Sequence, residues 1–136
     1  MVKALIFDLG GVYFADGTTL AIKNISKKYN VRPDLVEQFL RTGSELGALY
    51  RRGEITMEEF WNRAKRLANI KADNNDLNEM WIKSYVPIKG TVEIVKRLKR
   101  KGIKLYFLSD NAKERVEYLQ RKYNFLKDFV DGIFST

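Results

Sequence analysis

The sequence contains no cysteine and no histidine. Without cysteine the chain can form no disulfide framework, no thiolate nucleophile and no thiolate metal site. Without histidine it can form neither a Ser/His/Asp triad nor a histidine-ligated zinc site, and it has no histidine general base. The side chains left for catalysis are carboxylates, hydroxyls and lysines. Any catalysis is therefore expected to be carboxylate chemistry, together with a hard metal ion.

Long apolar runs and a targeting leader are also missing. No apolar stretch approaches the roughly 20 residues of a membrane span, and the N-terminus lacks the basic, apolar and cleavage regions of a secretory signal. We therefore expect a cytoplasmic protein that does not contact membranes. With 136 residues, of which 45% are hydrophobic and 12% aromatic, the chain is expected to fold around a core of its own.

Positive charge exceeds negative charge, since 25 Lys and Arg residues stand against 17 Asp and Glu residues, a formal net charge of +8. Such a charge attracts anionic small molecules or nucleic acid. The basic residues are spread along the chain, however, and the densest run, residues 96–104, lies where a helix is expected to end, so it complements the helix dipole. We interpret this run as a solvated helix face, and nucleic-acid binding is the less favoured alternative.

Apolar runs predict strands at residues 3–7 and 104–111, and a third strand begins at residue 131. The first two runs show no alternation, which is typical of strands buried on both faces. Amphipathic helices are predicted at residues 91–101 and 113–123. This order predicts an α/β fold with a parallel sheet.

Residues 18–86 are predicted to be helical throughout, without a strand. Four helices are indicated, and Thr56 with Glu59 forms a capping box for the third. Four large aromatic residues occur at helical spacing in this block, and we interpret them as its core rather than as the lining of a substrate pocket: Phe60, Trp61, Trp81 and Tyr85.

Polar residues follow two of the predicted strands directly, Asp8 after the first and Ser109 after the second. Ligands of open α/β sheets bind at the carboxyl ends of parallel strands. Gly10 and Gly11 permit close approach of a ligand to the backbone, and amides around residues 109–111 could hold an anion such as phosphate. A carboxylate that attacks phosphorus, with magnesium to screen the charges, suits this arrangement. Read singly, these residues could instead be turn and helix-cap residues.

The segments IFDLGGV (residues 6–12) and LYFLSDN (residues 105–111) resemble the first and second motifs of the haloacid dehalogenase superfamily. These phosphatases and dehalogenases use an N-terminal aspartate as nucleophile. The helical block is similar to the four-helix cap of members in which the cap follows the first strand. The resemblance covers essentially the whole chain. It implies a Rossmann-like core, incomplete here, formed by residues 1–17 and 87–136, and a cap formed by residues 18–86.

The resemblance also implies roles for single residues. Asp8 would be the nucleophile and a magnesium ligand, and Gly10 would offer its backbone carbonyl to the metal. Gly11, Ser109 and Asn111 would contact the phosphate. The substrate would be a small phosphorylated metabolite.

Two departures from the family pattern are visible. Gly10 stands where most phosphatases of the family have a second aspartate as general acid; Asp16 is a conceivable substitute, although an Asp-Gly turn needs no catalytic role. The lysine and the magnesium-binding aspartates of the family's later motifs have no counterpart before Thr136. We therefore expect an incomplete sheet with an uncovered edge or face, and hence self-association. The alternatives to a magnesium-dependent phosphatase are a non-catalytic binding or assembly module and a dehalogenase.

Overall fold

The computed structural model describes residues 1–41, 43–109 and 113–134. The chain divides into two compact units, an α/β unit of residues 1–15 with 85–136 and a helical unit of residues 16–84. The described elements are, in chain order, β1 (Ala4–Asp8), α1 (Gly17–Tyr29), α2 (Pro33–Leu40), α3 (Glu45–Arg51), α4 (Met57–Ala68), α5 (Asn74–Ile82), α6 (Lys89–Arg100), β2 (Lys104–Ser109), α7 (Lys113–Tyr123), a 3₁₀ turn (Phe125–Asp128) and β3 (Asp131–Phe134). The predicted α/β class is confirmed. Among the described residues, no helix is long and apolar enough to cross a membrane.

The sheet of the α/β unit has the order β1-β2-β3, and its neighbouring strands are parallel. Asp8 lies opposite Leu108, and Ser109 lies opposite Phe134. Both crossovers run in the same direction across the sheet, and right-handed crossovers of this kind place their helices on one face. The helices α6 and α7 are therefore expected to cover one side of the sheet only.

The covered face of the sheet is built from aromatic and aliphatic side chains. Leu105, Phe107 and Phe129 are buried, and the rings of Phe107 and Phe129 meet edge to face with their centroids 5.5 Å apart. Gly132 lies directly against this cluster, where an added Cβ would overlap the Phe107 ring. A glycine in β3 is thus explained by close packing on its neighbour in β2.

The other face of the sheet is exposed. Ile6 is 73% exposed, Leu108 53% and Ile133 67%. The prediction that the first two strands are buried on both faces is therefore wrong, because the helices of the described residues cover one face only. The uncovered face expected of an incomplete sheet is present.

The chain leaves and re-enters the α/β unit through two adjacent segments. The Ala15 amide donates to the Val86 carbonyl and the Ile88 amide donates to the Tyr13 carbonyl, each at 2.8 Å. These antiparallel contacts tie residue 15 to residue 86 where the 16–84 segment is inserted.

The helical unit has five helices in the described parts of residues 16–84, whereas four were predicted. The additional helix, α3, has seven residues, too few for its apolar period to be recognised. It begins at Ser44, whose hydroxyl accepts a hydrogen bond from the Gly47 amide at 3.1 Å. The predicted cap at Thr56 is confirmed, since its hydroxyl accepts from the Glu59 amide at 3.1 Å.

Aromatic side chains form the core of the helical unit. Phe39, Phe60, Trp61 and Trp81 are buried, and the Trp61 ring meets the Trp81 ring edge to face with centroids 6.0 Å apart. These residues pack against one another in the interior of the unit, as predicted for three of them. Tyr85, the fourth predicted core residue, belongs instead to the α/β unit.

Hydrogen bonds to Asn78 and Thr18 fix the positions of the two buried tryptophans. The indole Nε1 of Trp61 donates to Asn78 Oδ1 at 3.1 Å, and Nε1 of Trp81 donates to Thr18 Oγ1 at 3.3 Å. A buried indole N–H needs an acceptor, so these bonds specify the packing as well as stabilising it.

Candidate active site

Asp8 is the last residue of β1, at the carboxyl edge of the sheet, and its side chain is exposed. Its partner across the ladder is Leu108 of the middle strand. Since side chains alternate between the two faces of a strand, Asp8 shares the exposed face with Ile6 and Leu108. The carboxylate is thus held by a hydrogen-bonded strand and is accessible to a ligand.

The loop after Asp8 is anchored by three buried side chains, Leu9, Tyr13 and Phe14. The Leu9 carbonyl accepts from the Tyr13 amide at 3.0 Å and from the Phe14 amide at 2.8 Å. Gly10 and Gly11, which lie between these anchoring residues in the chain, are exposed. The sequence LGGVYF therefore folds into a compact turn with its two glycines facing solvent beside Asp8.

Of the two glycines, Gly11 has a backbone conformation that favours glycine. Gly11 has φ of +78°, a left-handed conformation that other residues adopt at a cost. Its amide donates to the Phe14 carbonyl at 2.7 Å, so this N–H already has an acceptor. At both glycines, no atom of the described residues other than their chain neighbours lies within 4 Å of the position of an added Cβ. Both positions are thus open to close approach of a ligand, and the conformation of Gly11 also shapes the turn.

Ser109 ends β2 and lies at the same edge of the sheet as Asp8, but its side chain is buried. The register explains this difference, because Asp8 is opposite Leu108 and Ser109 comes one residue later. Strand alternation then directs the hydroxyl to the covered face and the carboxylate to the exposed one. The structure thus brings the two backbones together and not the two side chains to one face. Asn111 lies outside the described residues.

The Tyr13 hydroxyl, in the loop after Asp8, is a buried polar group that no sequence pattern indicated. Burial raises the pKa of Tyr13 to about 12, and the nearby carboxylate of Asp128 adds to this effect. Asp128 is itself buried and accepts from the Lys99 ammonium at 3.4 Å. The Tyr13 ring also lies 5.7 Å from the Phe129 ring. Tyr13 is therefore a neutral support of the turn that follows Asp8.

Asp16, considered above as a substitute general acid, is the N-cap of α1. It accepts hydrogen bonds from the Thr19 hydroxyl at 2.6 Å and the Thr19 amide at 3.2 Å. The hydroxyl bond is the main cause that lowers the pKa of Asp16 below its ordinary value, and the Arg41 guanidinium contributes as well. A carboxyl that is ionised and capping a helix is a poor proton donor at neutral pH, which argues against the catalytic role.

A magnesium site would need several oxygen ligands. Within residues 1–41, 43–109 and 113–134, no three Asp or Glu side chains lie close enough to hold a metal ion together. Asp8 supplies a single carboxylate at the carboxyl edge. The described residues therefore do not form a magnesium site by themselves.

Comparison with known proteins identifies the family. The haloacid dehalogenase-like hydrolase family matches residues 2–136, nearly the whole chain. The chain belongs to the haloacid dehalogenase-like hydrolases. The resemblance in the motifs around Asp8 and Ser109 is thereby confirmed at the level of the family.

An uncharacterized protein of Dictyostelium discoideum is 31% identical to this hydrolase over 139 residues, which cover 98% of the chain and 58% of the relative. The structure of a HAD family enzyme from Bacteroides thetaiotaomicron, in complex with magnesium and inorganic phosphate, matches with a TM-score of 0.69 at 17% identity. That match covers 97% of this chain and 68% of the enzyme.

The L-2-haloacid dehalogenase of Xanthobacter autotrophicus, with chloropropionic acid covalently bound, matches with a TM-score of 0.59 at 17% identity, over 98% of this chain and 57% of the dehalogenase. At such identities the two structural matches show the fold alone. The chain thus spans 58% of the length of the curated relative and about two thirds or less of these structures.

Proposed function

We propose that this HAD-like hydrolase is a phosphatase of small phosphorylated metabolites, with Asp8 as its nucleophile and magnesium as its cofactor. The observation that carries the proposal is the position of Asp8. Its carboxylate is exposed at the carboxyl end of a parallel strand, beside the unobstructed surface of Gly10. Ligands of open α/β sheets bind at this edge.

The reaction would begin with attack of a carboxylate oxygen of Asp8 on phosphorus. The new O–P bond forms as the bond from phosphorus to the leaving oxygen breaks, and an aspartyl phosphate results. Water then hydrolyses this acyl phosphate, which releases inorganic phosphate and restores the carboxylate.

Protonation of the leaving group sets the substrate preference. Gly10 carries no acid, and Asp16 is committed to capping α1. The leaving oxygen would therefore take its proton from water. We expect rates to depend steeply on the acidity of the leaving alcohol, so that acyl and aryl phosphates are cleaved much faster than alkyl phosphates.

Magnesium enters the proposal from the Bacteroides structure, which contains it together with phosphate. Magnesium bound beside Asp8 in this chain would screen the carboxylate of Asp8 from the charge of the phosphate. Phosphate release measured with magnesium and with excess chelator tests this part of the proposal separately from the role of Asp8.

The decisive experiment compares phosphate release by wild type, Asp8→Asn and Asp131→Asn. Asp131 is a second exposed aspartate on the same sheet, at the amino end of β3, so its variant controls for loss of a surface charge. Asp8→Asn is expected to lower turnover by roughly a thousandfold or more, because it removes the nucleophile. Asp131→Asn should retain wild-type turnover. Equal activity of all three proteins would exclude Asp8 as the nucleophile.

The second candidate function is a non-catalytic binding or assembly module that keeps the fold. It is favoured by the lack of a three-carboxylate cluster in the part of the chain that the structure describes. Folded protein with no turnover on acyl, aryl or alkyl phosphates, with or without magnesium, would support this function over the phosphatase.

A further inference from the structure

The two chain segments that leave the sheet beside the candidate site are not joined to each other by the β1–β2 ladder. The last pair of that ladder is Asp8 with Leu108. The chain then continues from Asp8 into the turn of residues 9–14, and from Ser109 towards α7. Beyond the ladder, the relative position of these two continuations therefore depends on other contacts.

A third segment, residues 85–88, is bound to the turn after Asp8, and we call it the re-entry segment. Besides the backbone hydrogen bonds described above, Phe14 forms an antiparallel bridge with Pro87 and a parallel bridge with Gly10. The re-entry segment is thus held directly against the turn that follows the proposed nucleophile.

The re-entry segment also contacts the first turn of α7. The Arg115 guanidinium lies over the Tyr85 ring, with its central carbon 4.3 Å from the ring centroid. Arg115 is 4% exposed and Tyr85 is 6% exposed, so water is nearly excluded from this cation–π contact. A planar guanidinium stacks on an aromatic ring, and the attraction is stronger where the pair is desolvated.

Packing alone does not explain an arginine at this position. Burial of a charge is unfavourable, and apolar residues of similar volume pack without that penalty. Arg115 lies in the first turn of α7, the end of the helix that follows the carboxyl end of β2 at Ser109. The contact therefore joins the re-entry segment to the end of α7 nearest the candidate site, and it does so with a defined geometry.

We propose that Arg115 and Tyr85 are positioning residues, which hold the first turn of α7 against the re-entry segment and so set the geometry of the carboxyl edge around Asp8. This inference rests on the proposed phosphatase function. Ligands bind across the carboxyl ends of neighbouring strands, so the substrate would lie between the two continuations that this contact joins. A displacement of about 1 Å between reacting groups can lower the rate by roughly a hundredfold.

Phosphate release from p-nitrophenyl phosphate, an aryl phosphate, tests this role. Arg115→Met keeps a long side chain but removes the cation. We expect kcat to fall by roughly tenfold to a hundredfold while KM changes little, because orientation for attack is lost rather than substrate binding. Arg121→Met is the matched control, since Arg121 is an exposed arginine of the same helix. It should keep the wild-type kcat.

Tyr85 supplies a second test of the same contact. Tyr85→Leu removes the ring and should lower kcat as Arg115→Met does, whereas Tyr85→Phe keeps the ring and should retain most of the wild-type kcat. A double variant with Arg115→Met and Tyr85→Leu should be no slower than the slower single variant, since both substitutions break one contact. Two unrelated structural defects would instead give additive losses.

The outcomes separate this inference from the proposed function on which it rests. With an active wild type, equal kcat of Arg115→Met and Arg121→Met, or additive losses in the double variant, would overturn the positioning role. A wild type that releases no phosphate would refute the proposed function, and the positioning role with it. Circular dichroism identifies the folded variants, and if Arg115→Met does not fold, the comparison of Tyr85→Leu with Tyr85→Phe decides: equal kcat of these two would overturn the role.

Discussion

Replacement of Asn78 by alanine should destabilise the helical unit. Asn78 Oδ1 accepts the hydrogen bond of the Trp61 indole at 3.1 Å, and the Trp61 side chain is fully buried. In Asn78→Ala the indole N–H loses its acceptor in a place that water cannot easily reach. An unsatisfied buried donor costs about 1–3 kcal/mol, so we expect the free energy of unfolding to fall by about 2 kcal/mol.

Urea denaturation followed by tryptophan fluorescence measures this change directly. The chain has two tryptophans, Trp61 and Trp81, and both lie in the helical unit, so their fluorescence reports unfolding of residues 16–84. With a denaturant slope of about 1–2 kcal/mol per molar urea, the midpoint should fall by roughly 1–2 M. Asn75→Ala is the control, because Asn75 is an exposed asparagine of the same helix. Its midpoint should remain close to that of wild type.

A double-mutant cycle separates the hydrogen bond from other consequences of the truncation. Trp61→Phe removes the donor, and Trp81 remains as the fluorescent probe. In that background Asn78→Ala should cost less than in wild type, since no indole N–H is left unsatisfied. If Asn78→Ala leaves the midpoint unchanged, or costs the same in both backgrounds, the assignment of this bond as a stabilising contact is wrong.

Two further predictions concern pH and stability. Asp16→Ala should lower the free energy of unfolding at pH 7 by about 1 kcal/mol, because it removes the N-cap that binds Thr19. The difference from wild type should shrink as the pH falls below about 4, where the carboxyl group of Asp16 is protonated. An equal difference at pH 3 and pH 7 would refute this. Because the pKa of Tyr13 is raised to about 12, the folded chain keeps a proton that the unfolded chain loses near pH 10. Between about pH 10 and 12, Tyr13→Phe should therefore lose less free energy of unfolding than wild type does. Identical alkaline unfolding curves for the two proteins would show that Tyr13 does not contribute.

The position of Asp8 could be predicted from the sequence because an apolar run that ends in a polar residue marks the end of a strand. The position of the carboxyl ends of β1 and β2 at one edge of the sheet followed from the predicted parallel α/β pattern, since parallel strands align their carboxyl ends. The cap at Thr56 could also be predicted from neighbouring residues, because a hydroxyl and the amide three residues later meet within one helical turn. These features depend on residues close together in the sequence, or on one rule of topology.

Other features depended on neighbours that are distant in sequence. Apolar β1 and β2 residues were expected to be buried on both faces, yet Ile6 and Leu108 are exposed, because burial requires a covering layer and no periodicity within a strand shows whether one exists. The Arg41 guanidinium, which is distant in sequence from Asp16, contributes to the lowered pKa of that carboxyl, and no local pattern indicates this contact. No sequence pattern indicated that Tyr13 and Asp128 are buried near each other, since they are over one hundred residues apart in the chain.

By itself, the sequence determined which chemistry is open to this protein. The absence of cysteine and histidine leaves carboxylates, hydroxyls and lysines as the reactive groups, and the motifs around Asp8 and Ser109 place the chain in its family. The tertiary structure alone decided which side of the sheet each of these side chains occupies. Strand register is set by pairing between distant segments, and a shift of one residue exchanges the two faces. That register exposes Asp8 beside an apolar surface and buries Ser109 on the opposite side.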